Sequence, residues 1–358
     1  MADGATVPIS GARPAIFIDG NDEARLSGAL LGLDITETEA GLYRCAAQFG
    51  NWGGAERSGF QHFGRDRLEF GKTLAIKLGD DTLFEGRIGA LRASFPEGAP
   101  PQIGVLVEDR LQDLRMTRRT RSFASSSIAD VVRAVGNDHG LQPDVTLDGP
   151  TYPLLAQLNQ SDLAFLRELL RRIDGQIWIE AGKLKARGAT QRGGELELNW
   201  AGHLRSFEVS ADLAQQCTAL VASGWDVGAK RLAQYRAERS AISADSDGGQ
   251  SGMEILEAAF GARVETLAHA APGDAAQAQA QAQSALRLRA RRFVVGRGVA
   301  ETSAQLRVGA RLKISGIGPL FEGRYGVTRV THRFDLQKGL RSEFECNRAD
   351  IGRAGASA

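Results

Sequence analysis

The sequence predicts an α+β chain that is mainly β, with two β-rich regions flanking a small α/β insert and one additional helix. Three observations carry this. Short runs alternate apolar and polar residues with a period of two, as half-buried strands do; Leu312 and Ile314 around Lys313 are an example. Glycine is frequent, at 43 residues against 10 prolines, and it falls between these runs, where tight turns and strand bends need it. Over residues 111–190 the period changes, with Ile128, Val131, Val132 and Val135 at i, i+3, i+4 and i+7 on one helical stripe.

Taken in order, residues 14–110 read as strands. PAIFIDG places Ile16 and Ile18 on one face, and LYRCAAQFGNW closes on an Asn-Trp-Gly-Gly turn. LEFGKTLAIKLGDD sets Leu74, Ile76 and Leu78 on one face and turns at Gly79-Asp80-Asp81 into the return strand LFEGRIGALRASF. IGVLVEDRL follows a Gly/Ala/Pro-rich break at 97–101. The insert opens with Ser127 and Asp130 spaced as a capping box, with Asp in place of the usual Glu or Gln, and its first helix ends near Gly140. A second helix has Ser161 as N-cap and Leu163, Leu166, Leu169, Leu170 and Ile173 as its apolar face; Asp174-Gly175 then turns into the hairpin QIWIE–KLKAR. Strand patterns return in GELELNW, HLRSFEVSADL and CTALVASGWD. AKRLAQYRAERS either extends this meander or begins a surface excursion, and SADSDGGQSG reads as a mobile polar loop. Pro272-Gly273-Asp274 starts an Ala/Gln-rich helix. The stretch from Leu306 to Asp350 reads as an antiparallel meander, with a turn at Gln337-Lys338-Gly339.

Composition narrows the function classes. A hydrophobic share of 42% and a charged share of 24% suit a globular chain with a sizeable core. A net charge of +1 and aromatics at 6% give no electrostatic or stacking case for a nucleic-acid or membrane partner. Cys45, Cys217 and Cys346 are odd in number and far apart, which predicts reduced, packed thiols; five scattered histidines argue against zinc. The N-terminus shows no secretory signal pattern, and no run of about 18 apolar residues predicts a membrane span.

Motif by motif, no catalytic, cofactor or metal site is predicted. Gly71-Lys72-Thr73 mimics the end of a P-loop, but Asp66 stands where the first glycine belongs, and a strand pattern follows instead of a helix N-terminus. His139, beside Asp138, is expected to cap a helix end, and His332, beside Arg333 in a strand pattern, is expected to be structural. Arg110, Arg115, Arg118, Arg119 and Arg121, opposed by Asp109 and Asp113, and the second group Arg287, Arg289, Arg291 and Arg292, read as solvated faces with intersubunit salt bridges rather than as a DNA contact. Glu168 and Glu180 are carboxylates for a glycosidase pair only if the fold brings them together; each reads as a surface residue.

The segment order carries a resemblance. SIADVVRAVGNDHGL, then LNQSDLAFLRELLRRIDGQIWIEAGKLKAR, then Gly224-Trp225-Asp226 with Lys230, then G-x-Y-x-V-T-x-V-x-H-x-F-D from Gly323 to Asp335, resemble the phage late control protein D family over residues 10–350. That family includes the baseplate central hub of T-even phages and the N-terminal hub part of type VI secretion VgrG proteins. The resemblance implies two tail-tube-like β-barrels: residues 1–110, then the insert at 111–192, then a second barrel at 193–350 with a helical excursion near 272–293, and a tail at 351–358. It implies a homotrimer that joins a hexameric tail tube, or its initiator protein, to a trimeric spike, and contacts baseplate wedge proteins. DNA or an effector would only pass as cargo, and no stable membrane insertion is implied. Such a protein is made in the bacterial cytoplasm and ends in a virion tail baseplate or an extracellular injection particle. VgrG proteins continue into a needle, whereas this sequence stops at Ala358, so the needle is expected to be a separate chain. The alternatives are a tail-associated peptidoglycan hydrolase and the tail-tip hub of a non-contractile phage.

Overall fold

The computed structural model describes residues 13–53, 59–189 and 193–353; the last residue of the Asn-Trp-Gly-Gly turn, residues 190–192 at the end of the insert and most of the C-terminal tail lie outside them. Strands account for 49% and helices for 20% of the described residues, which makes them mainly β. In the first half, β1 (Ala15–Ile18), β2 (Leu30–Thr38), β3 (Arg44–Gly50), β4 (Thr73–Leu78), β5 (Asp81–Ser94) and β6 (Gln102–Glu108) are all antiparallel neighbours in one sheet, in the order β2-β3-β6-β5-β4-β1. Their inward residues close a core that includes Ile16, Ile35, Phe49, Leu74, Ile76 and Val107, each fully buried or nearly so. Of the residues singled out by alternation, Ile16, Ile18, Leu74 and Ile76 pack in this core, and Leu78 is half-buried at its edge. Thr73 begins β4 directly after Lys72, so the Gly-Lys-Thr run enters a strand, as its pattern indicates.

The insert repeats one device twice. Strand β7 (Arg118–Ser127) runs straight into helix α1 (Ile128–Asp138), followed by β8 (Gln142–Thr146); strand β9 (Thr151–Ser161) runs straight into α2 (Asp162–Arg171), followed by β10 (Gly175–Glu180) and β11 (Lys183–Gly188). Each strand's last residue is the helix cap. Ser127 accepts from the Asp130 N–H and Asp130 bonds back, a complete capping box; the Ser161 hydroxyl accepts from the Ala164 N–H at 3.3 Å. The predicted stripes Ile128/Val131/Val132/Val135 and Leu163/Leu166/Leu169/Leu170 pack together in a core separate from that of the first half.

The second half adds β12 (Glu195–Asn199) and β13 (Leu204–Ala211), then leaves the large sheet. Strands β14 (Ala219–Asp226) and β15 (Arg231–Ala237) form a hairpin of their own, so AKRLAQYRAERS is a return strand. Helix α3 (Gly252–Phe260), β16 (Val264–Thr266) and α4 (Ala275–Arg291) follow, and α4 packs its Ala282 and Leu286 across the hairpin against Leu220, Ala222 and Ala237. The α3 helix was not legible in the alternation, though Ser251 and Glu254 form a capping box there. SADSDGGQSG is not a free loop. The Asp350 carboxylate accepts from the Ser246 hydroxyl and from the Asp247 and Gly249 N–H groups at 2.6–3.0 Å, which ties it down.

The chain then returns through β17 (Val294–Glu301), β18 (Arg311–Ser315), β19 (Gly323–Asp335) and β20 (Gly339–Arg348); the last three are the expected antiparallel meander. Strand β19 joins the two halves. Its first part pairs with β18 through Gly323–Gly326, and its second part pairs with β2, from Arg329 opposite Thr38 to Asp335 opposite Gly32. The result is one continuous sheet of thirteen strands. Between these parts Thr328 is an extra residue, a bulge opposite β20. It flips the inward parity from Tyr325 and Val327 to Val330, His332 and Phe334. Tyr325, Val327 and Val330 belong to the second core and Phe334 to the first, so a single strand stitches both together.

A candidate assembly surface on the continuous sheet

Because side chains alternate along every strand, one face of the long sheet covers the two cores and the other is left open. Rows of this open face follow from the pairing register. In the second half Glu208, Arg297, Glu345 and Arg329 stand opposite one another across β13, β17, β20 and β19. The next row but one crosses the junction: Arg333 donates to Asp34 and to Glu343, each at 2.7 Å, and Asp34 leads on to Ala46, Leu106 and Ala90. Gly32, Gln48, Gly104 and Arg92 form the following row. The face is thus a mostly charged ladder over the second half, with Arg333 and Arg341 a like-charged cross-strand pair, and mixed over the first, where Ala46, Ala90, Gly32 and Gly104 stand with Leu106, Gln48 and Arg92. Hollows of about 720 and 750 Å³ lie along it on either side of Arg333. Every cation in the ladder has an anionic cross-strand neighbour, so the face is sticky to neither sign of charge.

Beneath the junction lies a buried polar network. His332 and Ser342 are fully buried, with Nδ1 and Oγ 2.7 Å apart, and Ser342 Oγ donates to Thr302 Oγ1 at 3.1 Å. Ser342 therefore accepts from the His332 Nδ1–H, and Nε2 is left as an acceptor with no partner. Burial and the nearby Arg307 push the imidazole down to about 3, so it is neutral at ordinary pH. On the same face of the sheet Glu37 is fully buried; Arg307 pairs with it at 2.5 Å and the Val308 N–H donates to it at 3.2 Å. Asp109, at the exit into the insert, accepts from the Tyr43 and Leu111 N–H groups, both at 2.9 Å. Its carboxyl is still pushed up to about 7 by burial, with Glu37 and Glu108 adding to the effect. Sequence spacing gave no sign of the Ser342–His332 pair, ten residues apart across a hairpin. It resembles a nucleophile and base, but it is sealed in the core and no substrate reaches it.

The other sequence candidates fall in separate places. His139 is the C-cap residue of α1, as expected, and its Nε2 also reaches the buried Asp162 at 2.8 Å. Burial alone would raise the Asp162 carboxyl; His139, Gln157, Arg121 and Arg119 outweigh it and hold it below the usual range. Most of the first arginine group has carboxylate partners inside the chain: Arg115 pairs with Glu108, Arg110 with Asp113, and Arg119 and Arg121 with Asp138 and Asp162. In the second group Arg289 pairs with Glu265. Arg291 is not solvated at all; it is nine-tenths buried between Asp174 and Asp245. Glu168 lies on α2 beside Gln160 and Arg172, and Glu180 at the end of β10 beside Lys185. The Gln160 hydrogen bond pulls Glu168 down, and Lys185 outweighs partial burial to pull Glu180 down, whereas a glycosidase acid needs a raised value. All three cysteines are free and buried. Among the described residues no helix is long and apolar enough to cross a membrane.

The fold is similar to those of solved tail proteins from phages and prophages. The 43 kDa tail protein of prophage MuSo2 from Shewanella oneidensis superposes with a TM-score of 0.70 at 11% identity, over 95% of this chain and 99% of that one. A tail protein from Neisseria meningitidis MC58 does so with a TM-score of 0.68 at 10% identity, over 95% and 97%. The E. coli c3393 protein, a type VI secretion component described as similar to T4 tail proteins, matches with a TM-score of 0.56 at 14% identity, over 89% and 73%. By sequence, a family model described as the Alg8 N-terminal domain matches residues 52–335, most of the chain, and the chain belongs to that family. The family's name specifies a domain and no reaction. No curated protein matches the sequence.

Proposed function

We propose that the chain is the structural hub of a contractile phage tail or a phage-tail-like injection particle. In this reading it is a non-enzymatic, homotrimeric adapter between a hexameric tail tube and a trimeric spike, and it works in the baseplate. The observation that carries this is the undivided thirteen-stranded sheet, with two cores on one side and an open, charge-balanced face on the other, in a fold shared with tail proteins. Three copies would supply six sheet halves to a ring, and a ring closes heterologous contacts without needing sixfold symmetry. The same reading takes residues 1–110 and 193–350 as the two barrel-like halves, 111–192 as the insert between them, and the stretch from Leu306 to Phe344 as a ring-facing part of the second. A charge-balanced wall also lets DNA or a protein effector pass without being held.

Mass photometry and negative-stain imaging of the purified chain test the proposal. A trimer that forms a ring, and that enters particles with spike or tube protein, is the expected result; a strict monomer that never enters such particles overturns it. A zymogram on peptidoglycan addresses the hydrolase alternative, and lysis that Glu168→Gln or Glu180→Gln abolishes would replace the structural reading. A neighbouring sheath gene separates a contractile particle from a non-contractile tail tip.

A further inference from the structure

Most arginines of the two sequence groups find carboxylates inside the chain, but the fold brings Arg292 together with two arginines outside those groups, and these three do not. Arg167 and Arg171 on α2 and Arg292 just beyond α4 line one groove of about 340 Å³ between the ends of these helices. None of the three lies within ion-pair distance of a carboxylate among the described residues. Arg167 bonds the Ala40 and Gly41 carbonyls, and Arg171 reaches only the Arg167 carbonyl at 3.4 Å. Burial and the neighbouring Arg115, Arg44 and Arg171 pull the Arg167 guanidinium below its ordinary value, outweighing the attraction of Asp109; positive charge is in excess there. The two carboxylates that do line the groove are engaged: Asp174 is clamped by Arg291, and Glu39 accepts from Gln176 at 2.9 Å. The walls also present Leu170, Ile177 and the exposed Leu288, and no aromatic side chain.

We infer that this groove between α2 and α4 is a docking site for an acidic polypeptide segment of a partner protein, with an aliphatic side chain seated on Leu288 and carboxylates held by Arg167, Arg171 and Arg292. Guanidinium forks pair bidentately with carboxylates, and an unneutralised set of three invites a negatively charged partner. The apolar wall selects a segment that also carries an aliphatic anchor. A single strand of nucleic acid is disfavoured, because its affinity needs aromatic stacking platforms that the groove lacks. This goes beyond the hub reading and does not require it.

Fluorescence anisotropy on the full chain tests the inference. The probes are a labelled twelve-residue peptide of alternating Glu and Leu, the same peptide with Gly for Leu, and a twelve-nucleotide single strand. The Glu/Leu peptide is expected to bind best. The double variant Arg171→Gln/Arg292→Gln should weaken it by about tenfold or more, since two charge-assisted contacts are lost. Arg25→Gln, an exposed arginine on another element, should leave it unchanged. Both substituted arginines are exposed and hold no carboxylate, so the double variant should fold, and an unaltered thermal midpoint checks this. No binding of the peptide, binding indifferent to the double substitution, or tighter binding of the nucleotide strand through the same arginines would each overturn the inference.

Discussion

His332 shows how one buried side chain sets a pH limit. Its folded-state value is lowered to about 3 from 6.5, because the core disfavours the charged ring and Arg307 repels it. The neutral form is the one the fold accepts, so its contribution is fully present above about pH 6.5 and is lost as pH falls toward 3, at roughly 1.4 kcal/mol per unit. Asp109 acts in the opposite direction. Its value is raised from 3.8 to about 7, so the fold favours the protonated acid, and stability is lost as pH rises through that interval. The two opposed slopes partly cancel in the native chain. Replacing only the histidine exposes one of them: His332→Gln should lose less stability than the native chain between pH 6.5 and 4, by a difference that grows steadily as pH falls. Urea unfolding at a series of pH values measures this; parallel curves would mean that the ring does not titrate on unfolding.

At the scale of elements, most strands and helices stand where local pattern put them, β2 and α3 excepted, but their joints depend on contacts between distant segments. The Gly224-Trp225-Asp226 run shows the difference. Asp226 accepts from the Ala229 N–H at 2.8 Å and shapes the hairpin turn, while Lys230 takes the left-handed conformation, both local effects. Gly224 has an ordinary φ and is small for another reason. A Cβ there would meet the Pro272 carbonyl oxygen at 2.1 Å, so the segment leading to α4 crosses directly over the strand. Gly224→Ala should therefore cost about 1–3 kcal/mol or more and free the 262–274 segment. A lowered thermal midpoint together with faster proteolysis within that segment is the expected result; an unchanged cleavage pattern would show that the strand yields instead. The bulge at Thr328 is a joint of the same kind. Its carbonyl accepts from the Glu39 N–H at 3.2 Å where β2 ends, so the extra residue marks the point at which β19 passes from one half to the other.

Across the whole molecule, the insert and the helical module of the second half are held by one ionic clamp. Arg291 donates to Asp174 at 2.9 Å and to Asp245 at 2.6 Å, and nearby Ser284 donates to the Arg171 carbonyl at 2.7 Å. Removing one member strands buried charges, so Arg291→Met should cost about 3–5 kcal/mol. Chemical denaturation would measure it, and a loss below about 1 kcal/mol would mean that water replaces the arginine. Asp174 was legible only as half of an Asp-Gly turn and Arg291 only as one of four clustered arginines. They are 117 residues apart, and nothing in their surroundings announces the pairing.

By itself the sequence determined the local structure, because period, capping and turn chemistry act over a few residues. Most strands of the first half, the two capped helices of the insert, the Ala/Gln helix and the final meander follow from it; the Leu30–Thr38 strand does not. Charge and composition also removed the reading of a basic nucleic-acid binder. Tertiary structure alone decided the rest, because pairing between strands some three hundred residues apart depends on register and not on local pattern: that β19 joins both halves into one sheet, that its far face is a charge-balanced wall, that Ser342 seals His332, and which arginines are spent in the core. Arg291 looked solvated and is buried, while Arg167 and Arg171 on one helix and Arg292 beyond another meet in one groove without a carboxylate partner.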